Sequence, residues 1–150
     1  MFVDSKTPNC VKVYEQKNAI QHNSNIGEYY ISREKYIDMK SFEVKPGDII
    51  VSCAGTIGEV YRLPNDAPIG VINQALMKIT LYDNSIADYF EIILYETLHN
   101  LSEKSKGTAI KNIAPFEKLK PACVLIPPLK EQQKIINKLS QLGKVILNQI

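Results

Sequence analysis

The sequence predicts an α+β fold: a mainly antiparallel β domain with helices packed against it and an assembly helix at its C-terminal end. Short apolar runs of strand-forming residues recur between turns rich in Gly, Pro and Asn up to residue 82. Apolar residues then recur at helical spacing over residues 86–102, and again from residue 129 onward. With 150 residues, 45% of them hydrophobic, the chain can form one domain with a buried core.

The charge of the chain is small and gives no argument for a general positive field. The formal net charge is +2, and the cations are lysines apart from Arg33 and Arg62. A lysine contacts a phosphate as a point charge, whereas arginine reads guanine with two parallel hydrogen bonds. Binding to a nucleic acid would therefore require locally concentrated charge.

The cysteines and histidines exclude several kinds of site. Cys10, Cys53 and Cys123 are widely spaced, so no disulfide framework or zinc site of ordinary spacing is predicted. Reduced core cysteines suit a cytoplasmic protein. His22 and His99 are the two histidines, which argues against most histidine-based catalysis. We expect no signal peptide and no membrane-spanning run.

The first part of the chain alternates strands with polar connections. Valines alternate with Lys12 and Tyr14 near residues 10–15, which predicts a strand. The amide-rich segment 15–28 is predicted as a polar loop. Asn and Gln side chains can pair bidentately with adenine, and a merely solvated loop is the alternative. The next predicted elements are a strand at 29–31 and one helical turn around 34–37.

A glycine-rich hairpin lies at the centre of the predicted fold. Its first strand, Ile49–Cys53, is nearly all apolar, the pattern of a strand buried on both faces. Gly55 and Gly58 predict a tight turn with positive φ or close backbone approach before a second strand that ends at Leu63. Such a turn leaves N–H groups and the Thr56 hydroxyl free for a partner, and a plain core hairpin is the simpler alternative.

Two more strands and a long helix complete the predicted core. The strands at 69–72 and 76–81 flank Asn73–Gln74–Ala75, and the second alternates between a drier and a wetter face. Ser85 begins helix 86–102 in a capping-box-like pattern. The apolar face of that helix, which we expect to pack on the core, consists of Ile86, Phe90, Ile93, Thr97, Leu98 and Leu101.

A glycine–threonine segment rich in lysine follows the helix. Five lysines and one acid, Glu117, lie between Lys104 and Lys120, around Gly107–Thr108. The N–H, hydroxyl and ammonium groups of such a turn can converge on a phosphate. The alternative is a solvated loop whose lysines favour the dipole of the preceding helix. The spacing is not that of a P-loop.

The C-terminal part predicts a buried strand and an assembly helix. The strand is 122–126, and Pro127–Pro128 end it and begin the helix. We expect the apolar stripe of the helix, which is close to a heptad seam, to meet a partner helix, and packing on its own domain is the alternative. The stripe consists of Ile135, Leu139, Leu142, Ile146 and Ile150.

Four motifs, in this order and spacing over residues 44–140, resemble the specificity subunit of type I restriction–modification systems. They are Pro46–Ser52 with Gly55–Gly58, Ile72–Leu76, Gly107–Ile113, and Ile126–Leu129 followed by Glu131, Gln132 and Ile135. The resemblance implies a DNA target recognition domain at 1–127 and the start of a spacer or dimerisation helix at 128–150.

The resemblance also implies a function. In that family two such domains lie in tandem, each reads one half of a bipartite DNA site, and their paired helices dock the methyltransferase subunits. The chain would determine which DNA sequence is recognised by a complex with methyltransferase and restriction subunits. It would catalyse no reaction itself. The cofactors S-adenosylmethionine and ATP with Mg²⁺ would bind elsewhere, and none is expected on this chain. A half subunit that forms a homodimer through its helix, a truncated product and a fragment all fit the pattern.

The resemblance makes the amide-rich loop a candidate for base reading and the glycine–threonine segment a candidate for phosphate contact. On residue type, the candidate DNA contacts are Lys17, Asn18, His22, Asn23, Thr56, Lys104, Lys106, Thr108, Lys111 and Asn112. The candidate partner-helix residues are the five of the apolar stripe.

Two other functions compete with DNA recognition. A non-catalytic interaction module would assemble through the C-terminal helix while the β domain merely folds. An enzyme would use Cys53 or Ser52 as a nucleophile, which needs a neighbouring base. The sequence contains no N-P-P-Y-type methyltransferase motif, Gly-rich dinucleotide loop or nuclease-like carboxylate pair, so no catalytic residue is predicted.

Overall fold

Seven strands and four α-helices form the described part of the protein. The structure is a computed structural model, and it describes residues 2–5, 7–104 and 124–147, without the side chains of 101–104 and 143–147. The strands are β1 (Val11–Tyr14), β2 (Tyr30–Ile31), β3 (Glu43–Val44), β4 (Ile49–Ser52), β5 (Val60–Arg62), β6 (Gly70–Ile72) and β7 (Leu76–Ile79). The helices are α1 (Gln16–Ile20), α2 (Arg33–Asp38), α3 (Ala87–Lys104) and α4 (Leu129–Leu147), with 3-10 turns at Lys40–Phe42 and Asn84–Ile86.

The strands form two small sheets. The first has the order β2–β1–β6–β3 and the second the order β5–β4–β7. β1 and β6 run parallel, joined by the long crossover that a parallel pair requires. The remaining pairs are antiparallel. The predicted α+β, mainly antiparallel fold is therefore confirmed.

The main core lies between the two sheets. Tyr14 and Ile72 of the first sheet are buried in one cluster with Ile50 and Leu76 of the second sheet. Ala19 of α1 belongs to the same cluster, and α1 packs against β4 and β5. This arrangement places α1 and the loop that follows it directly beside the hairpin.

One helix packs on the other face of each sheet. Tyr36 of α2 is buried with Val11 and Val13 of β1. Leu98 of α3 is buried with Ile49 and Val51 of β4. Successive side chains of β1 and β4 therefore enter different clusters, since side chains alternate along a strand. All four residues of each strand are buried, which confirms the predicted two-sided burial of β4.

β1 and β6 approach each other closely at Gly70, which pairs with Lys12. A Cβ atom at Gly70 would lie 2.5 Å from the Lys12 carbonyl oxygen and 2.8 Å from the Tyr14 ring. The Tyr14 hydroxyl donates a hydrogen bond to the Pro68 carbonyl oxygen at 2.6 Å. Burial raises the pKa of Tyr14 above its ordinary value. Only glycine leaves room for this buried tyrosine.

Two sequence predictions on the first half of the chain are corrected. The amide-rich segment 15–28 is not entirely loop, because α1 occupies its first part. The hairpin is not closed by a tight turn either, since residues 53–58 connect the paired ends of β4 and β5. Gly55 and Gly58 do adopt the predicted positive φ, at 62° and 90°. The loop is thus long enough to present Thr56 at the surface.

The last predicted strand is also corrected. Val124, Leu125 and Ile126 belong to no strand, and Leu125 and Ile126 are exposed. Residues 122 and 123 lie outside the described residues. The Tyr89 hydroxyl of α3 donates to the Leu125 carbonyl oxygen at 3.2 Å, so this segment lies along α3. Among the described residues, no helix combines the length and apolarity needed to cross a membrane.

Candidate nucleic-acid interface

The side chain of Asn18 organises the part of the amide-rich segment that follows α1, residues 21–28, which is the amide-rich loop from here on. Its Oδ1 accepts a hydrogen bond from the Glu15 N–H at 2.8 Å, at the start of the helix. Its Nδ2 donates to the carbonyl oxygens of Asn23 at 2.9 Å and Ile26 at 2.8 Å. Asn18 is fully buried. The side chain proposed from sequence as a base contact is therefore engaged within the loop and does not reach the surface.

The residues that follow Asn18 in the sequence are mostly exposed. His22, Asn23 and Asn25 are exposed, while Ser24 between them is buried. The Asn23 carboxamide oxygen accepts from the Asn25 N–H at 2.8 Å, an Asx-type turn that fixes the loop tip. His22, with φ at 47°, stacks on the Tyr61 ring of β5 at 5.5 Å between centroids. The loop thus presents polar side chains from a held backbone.

The hairpin loop 53–58 contacts α1 directly. The Gln16 carboxamide donates a hydrogen bond to the Ala54 carbonyl oxygen. A Cβ atom at Gly55 would lie 3.8 Å from the Gln16 side chain. Thr56, next to this contact, is exposed. The structure therefore brings the hairpin loop, which carries Thr56, against the helix that precedes the amide-rich loop.

Ser52 holds the ends of the hairpin loop together. Its hydroxyl donates to the Thr56 carbonyl oxygen at 2.6 Å and accepts from the Glu59 N–H at 3.0 Å. Ser52 is fully buried. At the other end of β4, the Asp48 carboxylate accepts from the Lys45 N–H at 2.9 Å and the Thr80 hydroxyl at 2.7 Å. These motif residues are scaffold for the loop.

The Asn73–Ala75 turn connects the two sheets. The Asn73 carboxamide oxygen accepts from the Ala75 N–H at 3.0 Å. The Asn73 N–H donates to the Tyr14 carbonyl oxygen at 3.1 Å, and the Cys53 N–H donates to the Ala75 carbonyl oxygen at 2.8 Å. One three-residue turn therefore fixes β1, in the first sheet, to the start of the hairpin loop.

Lys17 contributes a cation beside this loop, although an acid partly neutralises it. The Lys17 ammonium lies 3.0 Å from the Glu15 carboxylate. The hydrogen bond to that carboxylate raises the pKa of Lys17. The same ammonium lies 5.9 Å from the centroid of the exposed Tyr29 ring. Other ion pairs join Lys35 to Asp38, Lys40 to Glu43, Arg62 to Asp88 and Glu91, and Lys134 to Glu131.

The geometry gives no support to a nucleophile in the hairpin loop. The Ser52 hydroxyl already donates to a backbone carbonyl. Burial raises the pKa of the Cys53 thiol, so the reactive thiolate is disfavoured. Within the described part of the chain, no group of His, Cys, Asp and Glu side chains is arranged to hold a metal ion. The exposed loops offer hydrogen-bonding groups, which suits binding.

The family model described as "Type I restriction modification DNA specificity domain" matches residues 5–150. The chain belongs to this family. A specificity domain is a recognition component, and the family is non-catalytic. The resemblance based on the four motifs is thereby confirmed.

A solved structure is similar to this specificity domain in fold. Its title reads "Structural basis underlying complex assembly and conformational transition of the type I R-M system". The two chains share 23% identity with a TM-score of 0.51 over 71% of this chain, and the match spans 25% of the other chain. The specificity domain thus spans about a quarter of the length of that chain. No curated protein sequence matches the present chain.

The C-terminal helix α4 packs against α3. The Gln132 carboxamide donates to the Pro127 carbonyl oxygen at 2.8 Å and is buried. Ile136, one turn later, is half-buried. The neighbouring stripe is more exposed, with fractional exposures of 38% at Ile135, 44% at Leu139 and 52% at Leu142. The side chain of Ile146 and all of Ile150 lie outside the described residues.

The other half of the predicted site is not described. Lys104 is the last residue of α3, and its side chain lies outside the described residues. The same holds for all of Lys106, Thr108, Lys111 and Asn112. The phosphate role predicted for this segment stays a prediction.

Sequence reasoning misses two buried polar residues, Lys12 in β1 and Gln132 in α4. Lys12 reads in the sequence as an ordinary polar position of a strand, yet it is buried and bonded to the amide-rich loop. Gln132 stands out in the sequence only as part of a motif. A polar residue inside an otherwise apolar run, as Lys12 is, is a signal for such a role, because a buried polar group must find a hydrogen-bond partner.

Proposed function

We propose that this specificity domain reads one half of a bipartite DNA target for a type I restriction–modification complex. Its family match over nearly the whole chain carries the proposal. The DNA target recognition domain would occupy residues 1–127, and residues 128–150 would be the start of the spacer or dimerisation helix. Recognition would require no chemistry from this chain, while methyltransferase and restriction subunits would use S-adenosylmethionine and ATP with Mg²⁺ bound elsewhere.

The proposed base-reading surface is the amide-rich loop together with the hairpin loop. His22, Asn23 and Thr56 are exposed there and offer the donors and acceptors that direct readout uses. Lys17 would contact the DNA backbone beside them. Asn18 does not belong to this surface, because burial and its three hydrogen bonds engage it within the loop.

The phosphate contacts are proposed to come mainly from the glycine–threonine segment. Many described cations lie in ion pairs with acids, which weakens their attraction for DNA. Lys104, Lys106 and Lys111, with Thr108 and Asn112, form a denser group in the sequence. Binding through such contacts falls steeply as salt concentration rises.

The proposed partner surface is the apolar stripe of α4. Ile135, Leu139 and Leu142 are partly exposed, whereas the adjacent Gln132 and Ile136 pack toward the domain. This separation leaves the stripe accessible to a second helix. A homodimer or a tandem specificity domain would pair through it, and the methyltransferase subunit would dock on the paired helices.

The deciding experiment is selection from random duplex DNA, followed by sequencing. The chain is tested alone and together with a methyltransferase subunit from a type I system. A recovered sequence of a few base pairs, enriched in either arm, supports half-site recognition. Recovery of random sequence in both arms contradicts it.

A second candidate function is a non-catalytic module that assembles through α4. The exposure of the stripe favours this alternative. It predicts a dimer or complex with no preference among DNA sequences. Selection from random duplex DNA, combined with sedimentation of the chain with and without residues after Pro127, separates the two functions.

A further inference from the structure

We infer that Lys12 and Asn18 form a positioning clamp that sets the conformation of the base-reading loop. The inference rests on the proposed function, because it assigns a role within DNA recognition. The two side chains converge on one backbone atom, the Ile26 carbonyl oxygen. Neither side chain would touch DNA.

The geometry of the clamp is direct. The Lys12 Nζ donates to the Ile26 carbonyl oxygen at 2.7 Å, and the Asn18 Nδ2 donates to the same oxygen at 2.8 Å. Asn18 also donates to the Asn23 carbonyl oxygen at 2.9 Å. The segment between Asn23 and Ile26, which forms the loop tip, is therefore anchored at both of its ends.

The position of Lys12 excludes a contact with DNA. Its fractional exposure is 3%, and it lies in the middle of β1, paired with β2 on one side and β6 on the other. Its ammonium lies 5.6 Å from the ring centroids of both Tyr14 and Tyr30. The enclosed Lys12 ammonium therefore acts on the loop backbone, to which it donates a hydrogen bond.

The loop backbone also passes directly over this buried cation. Gly27 has φ at 110°, and a Cβ atom there would lie 3.6 Å from the Lys12 Nζ and 3.4 Å from a Glu15 carboxylate oxygen. Burial lowers the pKa of Lys12, and the nearby Glu15 carboxylate opposes that change. An apolar side chain would avoid the cost of burying a charge. The lysine is consistent with a requirement for its donor at this place.

A positioning role makes a specific expectation for DNA binding. Base readout needs side chains held within a fraction of an ångström, whereas phosphate attraction tolerates movement of a loop. Loss of the clamp should therefore reduce discrimination between DNA sequences and leave binding to unrelated DNA nearly unchanged. A purely structural role would reduce both together.

The experiment compares dissociation constants for the selected duplex and for a scrambled duplex, using the full chain under the conditions in which selection succeeds. The variants are Lys12→Met and Asn18→Ala, each removing one side of the clamp. Lys35→Met is the matched control, because Lys35 is an exposed lysine on α2, which packs on the opposite face of β1. Thermal melting of every variant is measured in parallel.

We expect each clamp variant to lower the ratio of the scrambled-duplex dissociation constant to the selected-duplex dissociation constant about tenfold. The scrambled-duplex constant itself should change less than about twofold. The control should keep the wild-type ratio. Equal loss of both affinities together with the melting transition, or a wild-type ratio in both clamp variants, overturns the inference. If Lys12→Met does not fold, Asn18→Ala decides by the same criteria. A wild-type chain that fails to discriminate overturns the proposed function itself, which is a different result.

Discussion

The Ser52 hydroxyl donates a hydrogen bond to the Thr56 carbonyl oxygen at 2.6 Å, and this contact holds the exposed hairpin loop in place. The same hydroxyl accepts from the Glu59 N–H at 3.0 Å. One buried side chain at the end of β4 thus bonds two backbone groups on the returning side of the loop. The position of Thr56 depends on a side chain four residues earlier.

Replacement of Ser52 by alanine should destabilise the domain by about 1–3 kcal/mol, because it leaves the Glu59 N–H and the Thr56 carbonyl, whose hydrogen bonds are part-buried, without their partner. Urea denaturation followed by circular dichroism measures the change. Ser41, which is exposed, provides the control, and Ser41→Ala should stay within about 0.5 kcal/mol of the wild type. Equal stability of the two variants would contradict the bridging role.

Substitution of Gly70 by alanine should also destabilise the domain, by about 1–3 kcal/mol or more. The added Cβ would lie 2.5 Å from the Lys12 carbonyl oxygen, and backbone cannot move aside as a flexible side chain can. The same denaturation experiment checks this prediction. A Gly70→Ala protein as stable as the wild type would show that the parallel pair has more room than the structure gives it.

Tyr14 should make the protein sensitive to alkaline conditions. Its pKa is raised in the folded state by burial, so its contribution to stability is fully present below the unfolded value of about 10 and is lost as pH rises above that value. Tyr14→Phe removes this proton linkage. The free energy of unfolding should therefore fall less steeply for the variant than for the wild type between about pH 9 and 11. Parallel curves would contradict the prediction.

The glycine–threonine segment should supply charge without sequence information. Replacing Lys104, Lys106 and Lys111 by alanine should weaken binding to all DNA sequences and reduce the slope of log K against log salt by about 0.9 for each phosphate that the variant no longer neutralises. Lys35, on α2, and Lys40, just after it, are replaced by alanine as a control that removes surface charge elsewhere. Fluorescence anisotropy over a salt titration measures the slopes. Unchanged binding in the triple variant would count against the phosphate role.

The α4 stripe should govern assembly without affecting the fold. The double substitution Leu139→Lys and Leu142→Lys should convert a dimer to a monomer in sedimentation experiments, while the melting temperature of the domain stays close to that of the wild type. The matched control is Asn137→Lys with Gln141→Lys, on the opposite side of the helix. Truncation at Pro127 should have the same effect on assembly as the stripe variant. Sedimentation identical to that of the full chain would rule out the helix as an assembly element.

The strands were predictable because their physical causes are local. The apolar run of β4 and the glycines after it follow from simple rules of burial and positive φ, and both are found. Helix α1 was not predictable in the same way, because its five residues, three of them polar, are too short a run to show a helical period. Its packing against β4 and β5 stabilises it, and that contact is invisible in the sequence.

The candidate site was only partly predictable for a similar reason. Asparagine is ordinarily a surface residue, and the sequence does not distinguish Asn23, which is exposed, from Asn18, which is buried. The difference arises because the loop after α1 folds back over the helix. The carbonyl oxygens of Asn23 and Ile26 then lie within hydrogen-bonding distance of the Asn18 side chain. The prediction of a strand at 122–126 is wrong at Val124–Ile126, where proximity to α3 outweighs the strand preference of the side chains.

The turn at Asn73–Ala75 has a mechanical consequence. It is a short link between the two sheets, and it is bonded to Tyr14 on one side and to Cys53 on the other. Sliding of one sheet over the other would have to break one of these bonds or deform the three-residue turn between them. The amide-rich loop and the hairpin loop should therefore move as one rigid body. A change in the angle at which the domain approaches the double helix would rotate both loops by the same amount.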